Sequence, residues 1–451
     1  MAVEPDGYVV YGSVPWDTPW LTEQNLAAAL AEHRPVLYVE PPITPLTPFR
    51  YGLGRDSPRL ARALARRGLR RSGRTTLFRP LTLPPRSHPR ARALARPLLR
   101  RQLARAVADA GLRRPVAVWG HANMPLHGAA GELLSVALVK DWIEAGGELV
   151  GQEAGEIAAS RRALWDRADL ICATSTELVR TLERLGHPAR LLRHGFHADL
   201  ADAYDDDPPP EYRDLPRPLL GYAGRIDGRL DFDALGAVAD RFRGGSVVLV
   251  GPVSPRAPQE EVARLAQRPN VHLLGVRTRE RLPAYLAALD CSLLPYRPGE
   301  WSRHGSPLKL WDYLYAGPPI VGAGYLALRE YPPPLVRFVA EADAFAAAVD
   351  AALRADRGRD ERRAFALANS WADRARELER LVAEALARVD AGRARSSDVE
   401  HGVDRDQQRE QRGRGAARRG VAAAGAAPAP APAGGAGRGV RRPHRAGHRA
   451  G

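Results

Sequence analysis

Short apolar runs alternate with amphipathic stretches along most of the chain. Gly7–Gly12 (GYVVYG), Val36–Glu40 (VLYVE), a run near Thr75–Leu83, Pro115–Trp119 (PVAVW), Ala137–Lys140, Leu170–Thr174 and Ala189–Arg193 have the length and composition of buried strands. Helix-period stretches separate them at Gln24–Glu32, about 57–71, 89–111, Ile157–Arg167 and Thr176–Leu185. Strands alternating with helices predict a parallel sheet covered by helices on both faces.

The rhythm breaks at Asp205–Asp214 (DDDPPPEYRD), where charges and three prolines can continue neither element. It then resumes with strands at Leu219–Tyr222, Val247–Val250, Val271–Leu274, Cys291–Pro295, Ile320–Val321 and Arg337–Val339. A last helix starts at Trp371, with Ser370 as its N-cap and Asp373 three residues on. The expected organisation is an α/β first domain over 1–204, a linker over 205–214, a second α/β domain over 215–370, and a helix over 371–390. Residues 391–451 lose apolar periodicity to Arg, Gly, Ala and Pro, a composition that cannot bury a core and predicts disorder.

Charge changes the picture through its placement. The net +15 is carried by residues 55–114, at +16 with 18 Arg and no Lys, and by 391–451, at +8, leaving −9 for the rest. An Arg-rich segment on an otherwise acidic body suits contact with an anionic membrane leaflet. Solvated helix faces in an Arg- and Ala-rich composition are the plain alternative, and no nucleic-acid motif accompanies the charge. Cys172 and Cys291 each lie in a strand-like run, giving neither a disulfide framework nor metal-ligand spacing. Met1–Ser13 has no basic region ahead of an apolar stretch, and no run reaches the ~18–20 apolar residues that span a bilayer. The expected location is therefore cytoplasmic, at the inner face of the plasma membrane.

The chemistry concentrates where strand Cys291–Pro295 runs through the loop Tyr296–Ser306 into PLKLWDYLYAG. Ser306 suits an N-cap, Pro307 the first helical position and Gly317 a left-handed stop. Such a helix start attracts a diphosphate; Lys309 would add a point charge, and Asp312, on the same face, could accept from ribose hydroxyls. A capped helix in which Lys309 and Asp312 merely pair fits the same spacing. Two DxD strings offer a metal alternative, but Asp231–Asp233 opens a helix and Asp404–Asp406 lies in the tail, so no metal or cofactor is expected.

The run NVHLLG…RERLPAYLAALDCSLLPY…SPLKLWDYLYAGPPIV, with GYAGRIDGRLDFDAL and VVLVGPV before it and NSWADRARELERL after it, resembles the donor half of the retaining family 4 ("group 1") glycosyltransferases. VPWDTPWLTEQNLAAAL…VLYVEPP and LWDRADLICATSTELVRTLERLG…LLRHGFHADL extend the resemblance over residues 8–390. It implies a GT-B fold: two Rossmann-like domains facing a cleft, with the last helix crossing back to the first. It also implies that Arg225, after Gly224, and Lys309 hold a nucleotide diphosphate, that Asp312 binds ribose, and that Val276 borders the base. Ser306 and Pro307 complete the donor loop. The family's paired glutamates would fall at positions 304 and 312, where this chain has His304 and Asp312.

On the first domain the loops after strands carry Trp16, Asp17, His121 and Asp141 as candidates for the acceptor or donor sugar. His121 is the candidate catalytic side chain beside Arg225 and Lys309, whereas His194 reads as structural. The activity implied is metal-independent, retaining transfer from a nucleotide-diphosphate sugar to a glycan or lipid-linked acceptor of the cell surface. A sugar-nucleotide epimerase of the same fold and a non-catalytic anionic-surface binder are the alternatives.

Overall fold

The apolar runs become parallel strands buried on both faces, in two separate sheets. The computed structural model describes residues 4–43, 68–82, 89–121, 126–142, 154–205, 207–355 and 357–391. The tail from 392, Asp404–Asp406 included, and the Arg-rich stretches 55–67 and 83–88 lie outside the described residues.

The first sheet contains β1 (Tyr8–Tyr11), β2 (Val36–Val39), β3 (Gly68–Ser72), β4 (Thr75–Arg79), β5 (Val116–Trp119), β6 (Leu134–Val139), β7 (Leu170–Ala173) and β8 (Arg190–Leu191). Helices α1 (Thr22–Ala31), α2 (Pro89–Asp109), α3 (Ala154–Trp165) and α4 (Thr176–Arg184) connect them. The order is β3-β4-β2-β1-β5-β6-β7-β8, parallel except for the β3–β4 hairpin. β1 pairs with β2 on one side and β5 on the other, which opens a crevice at their carboxyl ends.

One expectation fails here: the end of the helix anticipated over 57–71 is strand β3. Gly68 and Gly73, both at positive φ, bound it and turn it back onto β4.

The second sheet runs β11-β10-β9-β12-β13-β14 and is wholly parallel. Its strands are β9 (Leu219–Ala223), β10 (Ser246–Val250), β11 (Val271–Gly275), β12 (Cys291–Pro295), β13 (Ile320–Ala323) and β14 (Arg337–Val339). Its helices are α5 (Phe232–Arg241), α6 (Gln259–Ala266), α7 (Leu282–Ala287), α8 (Glu300–His304), α9 (Leu310–Ala316), α10 (Phe345–Ala355) and α11 (Arg359–Leu367). Asp231 caps α5, accepting from the Ala234 amide at 2.9 Å.

Residues 371–391 form the last helix, α12. Ser370 and Asp373 make the reciprocal cap that the sequence predicts: the Ser370 amide donates to Asp373 at 2.8 Å, and the Asp373 amide donates to Ser370 Oγ at 3.3 Å. Ala375, Leu378, Leu381, Val382 and Ala385 of α12 share a buried cluster with Tyr8 and Val10 of β1 and Leu26 of α1. The chain thus returns to its first lobe, and hydrogen bonds of 3.0 Å between Phe196 and the backbone of Asn369 and Trp371 anchor the return.

Candidate functional site

At the carboxyl ends of β9, β10 and β11 stand Gly224, Gly251 and Gly275, all at positive φ. A Cβ on Gly251 would lie 2.0 Å from the Gly224 carbonyl oxygen, so adjacent loops touch through bare backbone. A Cβ on Gly224 would stand 2.5 Å from Lys309 Nζ. The missing side chain at Gly224 leaves the space that the Lys309 ammonium occupies.

Lys309 donates to the Tyr222 hydroxyl at 2.8 Å and to the hydroxyl of Tyr296. Its ammonium lies 4.3 Å from the centre of the Tyr222 ring. Burial, and then the Arg229 charge, bring its pKa down to about 7. Burial pushes Asp312 up to about 7, and the Tyr204 hydroxyl donates to it at 3.3 Å. Among the described residues no ion pair joins Lys309 to Asp312: Lys309 is tied to Tyr222 and Tyr296, and Asp312 to Tyr204. The plain alternative, a helix whose lysine and aspartate only pair, does not describe this site.

The helix itself starts later than its sequence suggests. α9 begins at Leu310 with Lys309 as cap residue, and buried Ser306 and Pro307 belong to the loop before it. The Leu310 amide bonds back to Pro307 at 3.0 Å, so residues 307–310 form one tight turn. With seven residues, α9 sums few peptide dipoles, and anion attraction rests on side-chain cations instead. Gly317 does stop the helix, at φ 91°, and buried Arg362 donates twice to its carbonyl, at 3.0 and 2.7 Å.

Beside Lys309 a cavity of about 490 Å³ opens, lined by Arg225, Asp227, Arg229, Ser254, Arg256 and Trp301 among others. Arg225 is exposed at its wall. Arg229, absent from the sequence reading, grips Asp227 through Nε at 2.9 Å and Nη2 at 2.8 Å, and it is the cation whose charge Lys309 feels. Its one advance signal was an aspartate two residues before it in a glycine-rich turn.

The first lobe sorts its candidates clearly. Trp16 is buried, with its amide on Glu40 at 2.8 Å and its indole on Ser72 at 3.1 Å, packed against Trp20 and Tyr38; its side chain faces the core and not a ligand. Asp17 is exposed and paired with Arg70 at 3.3 Å. His121 is half-buried just past β5, and Asp141 stands just past β6, where burial pushes its carboxyl up and Arg229 of the second lobe acts on it. Val276, 66% exposed, stands past the end of β11.

His304 is taken up in joining the lobes. Its Nδ1 donates to the Glu300 carbonyl at 2.9 Å, its Nε2 accepts from the Thr181 hydroxyl of α4 at 3.1 Å, and Ser175 donates to its carbonyl at 2.5 Å. Both ring nitrogens are engaged, so the sugar contact considered for this position has no free atom there. His194 is buried against Thr22 at 3.2 Å, its pKa brought down to about 4 by burial, which fits its structural reading.

A pair of a buried carboxylate and a half-buried lysine escaped the sequence reading. Glu23 of α1 lies over Gly120 and holds Lys140, at the crevice between β1 and β5; Lys140 also reaches Ser13 at 3.2 Å. Burial raises the Glu23 pKa, but the Lys140 ammonium outweighs it and holds the carboxyl below its usual range.

Two Rossmann-like lobes, a glycine-lined sheet edge and a back-crossing helix are now in place, and solved structures share the overall architecture. The chain superposes on sucrose-phosphate synthase from Thermosynechococcus elongatus with TM-score 0.61 at 17% identity, over 84% of this chain and 99% of that one. The chain has the GT-B fold. Trehalose-6-phosphate from E. coli bound with UDP-2-fluoro glucose follows at TM-score 0.60 and 15% identity, over 84% of this chain and 99% of that one. Anabaena Alr3699/HepE in complex with UDP and glucose matches at TM-score 0.57 and 14% identity, over 84% and 100%. In sequence, the chain is similar to the putative teichuronic acid biosynthesis glycosyltransferase TuaH of Bacillus subtilis strain 168, 29% identical over 127 residues. That stretch spans 28% of this chain and 31% of the relative's length. No protein-family model matches the chain.

Proposed function

We propose that this protein is a glycosyltransferase that takes its sugar from a nucleotide-diphosphate donor bound on the second lobe. The observation that carries the reading is Lys309, a lysine held over Gly224 by two tyrosines, with Arg229 beside it and Arg225 at the neighbouring cavity wall. A pre-placed cationic cluster of this kind stabilises charge on a departing diphosphate. Asp312, across the turn from Lys309, takes the ribose hydroxyls. UDP in the complexes of structural neighbours supports a nucleotide donor, and TuaH's name supports a cell-surface polysaccharide or glycolipid acceptor.

On this reading the acceptor enters from the first lobe, past His121 and Asp141. Transfer is metal-independent, because Lys309, Arg225 and Arg229 supply the positive charge, and it is retaining by resemblance. Contact with an anionic leaflet through residues 55–114 belongs to the same reading. The described part of α2 supports it: Leu94 and Leu98 are 73% and 40% exposed beside exposed Arg96, Arg101 and Arg105. No helix among the described residues is long and apolar enough to cross a membrane.

Thermal melting with UDP, GDP and ADP tests the proposal. One diphosphate should raise Tm, and Lys309→Ala should abolish the rise. No shift with any nucleotide would sink it, and donor turnover without acceptor would point to the epimerase.

A further inference from the structure

Tyr204 stands 108 positions before Asp312 in the chain, yet its hydroxyl donates to one oxygen of the Asp312 carboxyl at 3.3 Å. It ends the turn Ala198–Tyr204, on the crossing from the first sheet to the second. Among the described residues no other hydrogen bond or ion pair reaches that carboxyl. Arg279 bears on it through charge alone, because its guanidinium donates to His197 at 2.8 Å and Asp199 at 3.3 Å and lies 4.5 Å from the Trp20 ring centre.

The tyrosine ring is itself held in place. It is 4% exposed and packs edge-on against Tyr315 at 4.9 Å and at a tilt against Phe196 at 5.9 Å, while Phe196 stacks on Tyr315 at 4.2 Å. Tyr315 follows Asp312 by three residues on the same face of α9, so one aromatic cluster fixes both the helix and the hydroxyl. The hydroxyl is therefore placed before any ligand arrives, which lowers the ordering cost of binding. Burial pushes the Asp312 carboxyl up to about 7, and the Tyr204 hydrogen bond is the strongest influence in the other direction. It favours the ionised form, which accepts from hydroxyls. A buried tyrosine hydroxyl commonly just finds a partner; here the partner is the group that the donor reading assigns to ribose.

We propose that Tyr204 is a positioning residue for ribose recognition: it holds one oxygen of Asp312 and leaves the other to accept from the sugar hydroxyls of the nucleotide. The inference rests on the reading of Asp312 as the ribose residue, and it ties that recognition to the segment that joins the two lobes.

Calorimetric titration of the full chain with UDP, GDP and ADP, each against its 2′-deoxy and 3′-deoxy forms, tests it. The nucleotide that binds should outbind at least one of its deoxy forms by about tenfold or more, since a missing hydroxyl leaves the carboxylate unpaired. Tyr204→Phe keeps the ring packing and removes only the hydroxyl. It should cut that ratio to about threefold or less, with affinity for the deoxy form within about twofold of wild type. In Asp312→Ala the ratio should be near one, and adding Tyr204→Phe should move it no further, because the tyrosine acts through the carboxyl. An unchanged ratio in Tyr204→Phe, or an equal loss for both ligands, overturns the proposal and leaves Tyr204 as core packing. A wild type without ribose preference overturns it together with the ribose role of Asp312, while diphosphate binding at Lys309 stands. If no nucleotide binds at all, the donor reading itself fails and the proposal with it.

Discussion

The ammonium of Lys309 occupies the space that a side chain on Gly224 would need: a Cβ there would stand 2.5 Å from Nζ and 3.0 Å from the Tyr222 hydroxyl. The backbone at Gly224, with φ 146°, is also one that side chains rarely adopt. Gly224→Ala therefore displaces the lysine and strains the loop together. The expected result is a loss of stability of about 1–3 kcal/mol and a drop in nucleotide-diphosphate affinity of about tenfold or more. Chemical denaturation and calorimetry check the two effects. Unchanged affinity would separate Lys309 from the nucleotide.

The same lysine predicts a proton signature. With its pKa brought down to about 7, Lys309 is largely neutral at pH 8, and a bound diphosphate favours its charged form again. Binding should therefore take up close to one proton between pH 8 and 9, visible as a buffer-dependent heat. Affinity should fall by about tenfold per pH unit above 7. Stability carries the opposite sign from that of a paired lysine. The folded-state pKa lies below the unfolded one, so the cost is full below about pH 7 and fades towards 10.5. Lys309→Met should accordingly raise Tm at pH 6 more than at pH 9. Buffer-independent binding heats at pH 8 would count against a neutral Lys309.

How far the sequence spoke for this molecule depended on where its signals came from. Parallel strands buried on both faces are written as continuous apolar runs, and β1, β2, β5, β7, β9 and β10 were all legible that way. The edge strand β3 was not, because Gly68–Ser72 (GLRRS) is polar and pairs on one side only, where an Arg-rich stretch looks helical. The Gly317 stop was readable from a single residue, but the start of α9 was not, since Pro307 suits a tight turn as well as a first helical position. Glu23, Lys140 and Arg229 gain their places only when separate loops meet, and no local pattern announces that. Trp16 was misread for the converse reason: an aromatic after a strand can cover a core as readily as a ligand.

His304 was expected near the donor sugar and is found between the lobes. Since the Glu300 carbonyl can only accept, Nδ1 carries the proton and Nε2 is the acceptor for Thr181. The ring also lies 5.1 Å from Trp142. Truncation strands a buried hydroxyl and a carbonyl and opens a cavity, so His304→Ala should cost about 2–4 kcal/mol. Urea denaturation measures the loss, and His304→Gln, which keeps a donor and an acceptor, should recover part of it. A nucleotide-induced rise in Tm that survives His304→Ala would fit a bracing role; its loss with stability intact would return His304 to the donor sugar.

The outer face of α2 makes the most direct claim about where the protein works. Leu94 and Leu98 project beside Arg96, Arg101 and Arg105, an apolar–basic mixture that ordinary solvated helix faces do not need. Each arginine near an anionic leaflet contributes about 1 kcal/mol, so Arg→Gln at all three positions should weaken vesicle binding by roughly a hundredfold. Sedimentation with vesicles of phosphatidylcholine and phosphatidylserine at 7:3 measures this, and Leu94→Glu should weaken it through the apolar part alone. Raising NaCl should release the wild type in proportion to screening, while pure phosphatidylcholine vesicles should retain little protein. Equal sedimentation of wild type and triple variant would show that this face is only solvated, and would leave the acceptor to reach the cleft from solution.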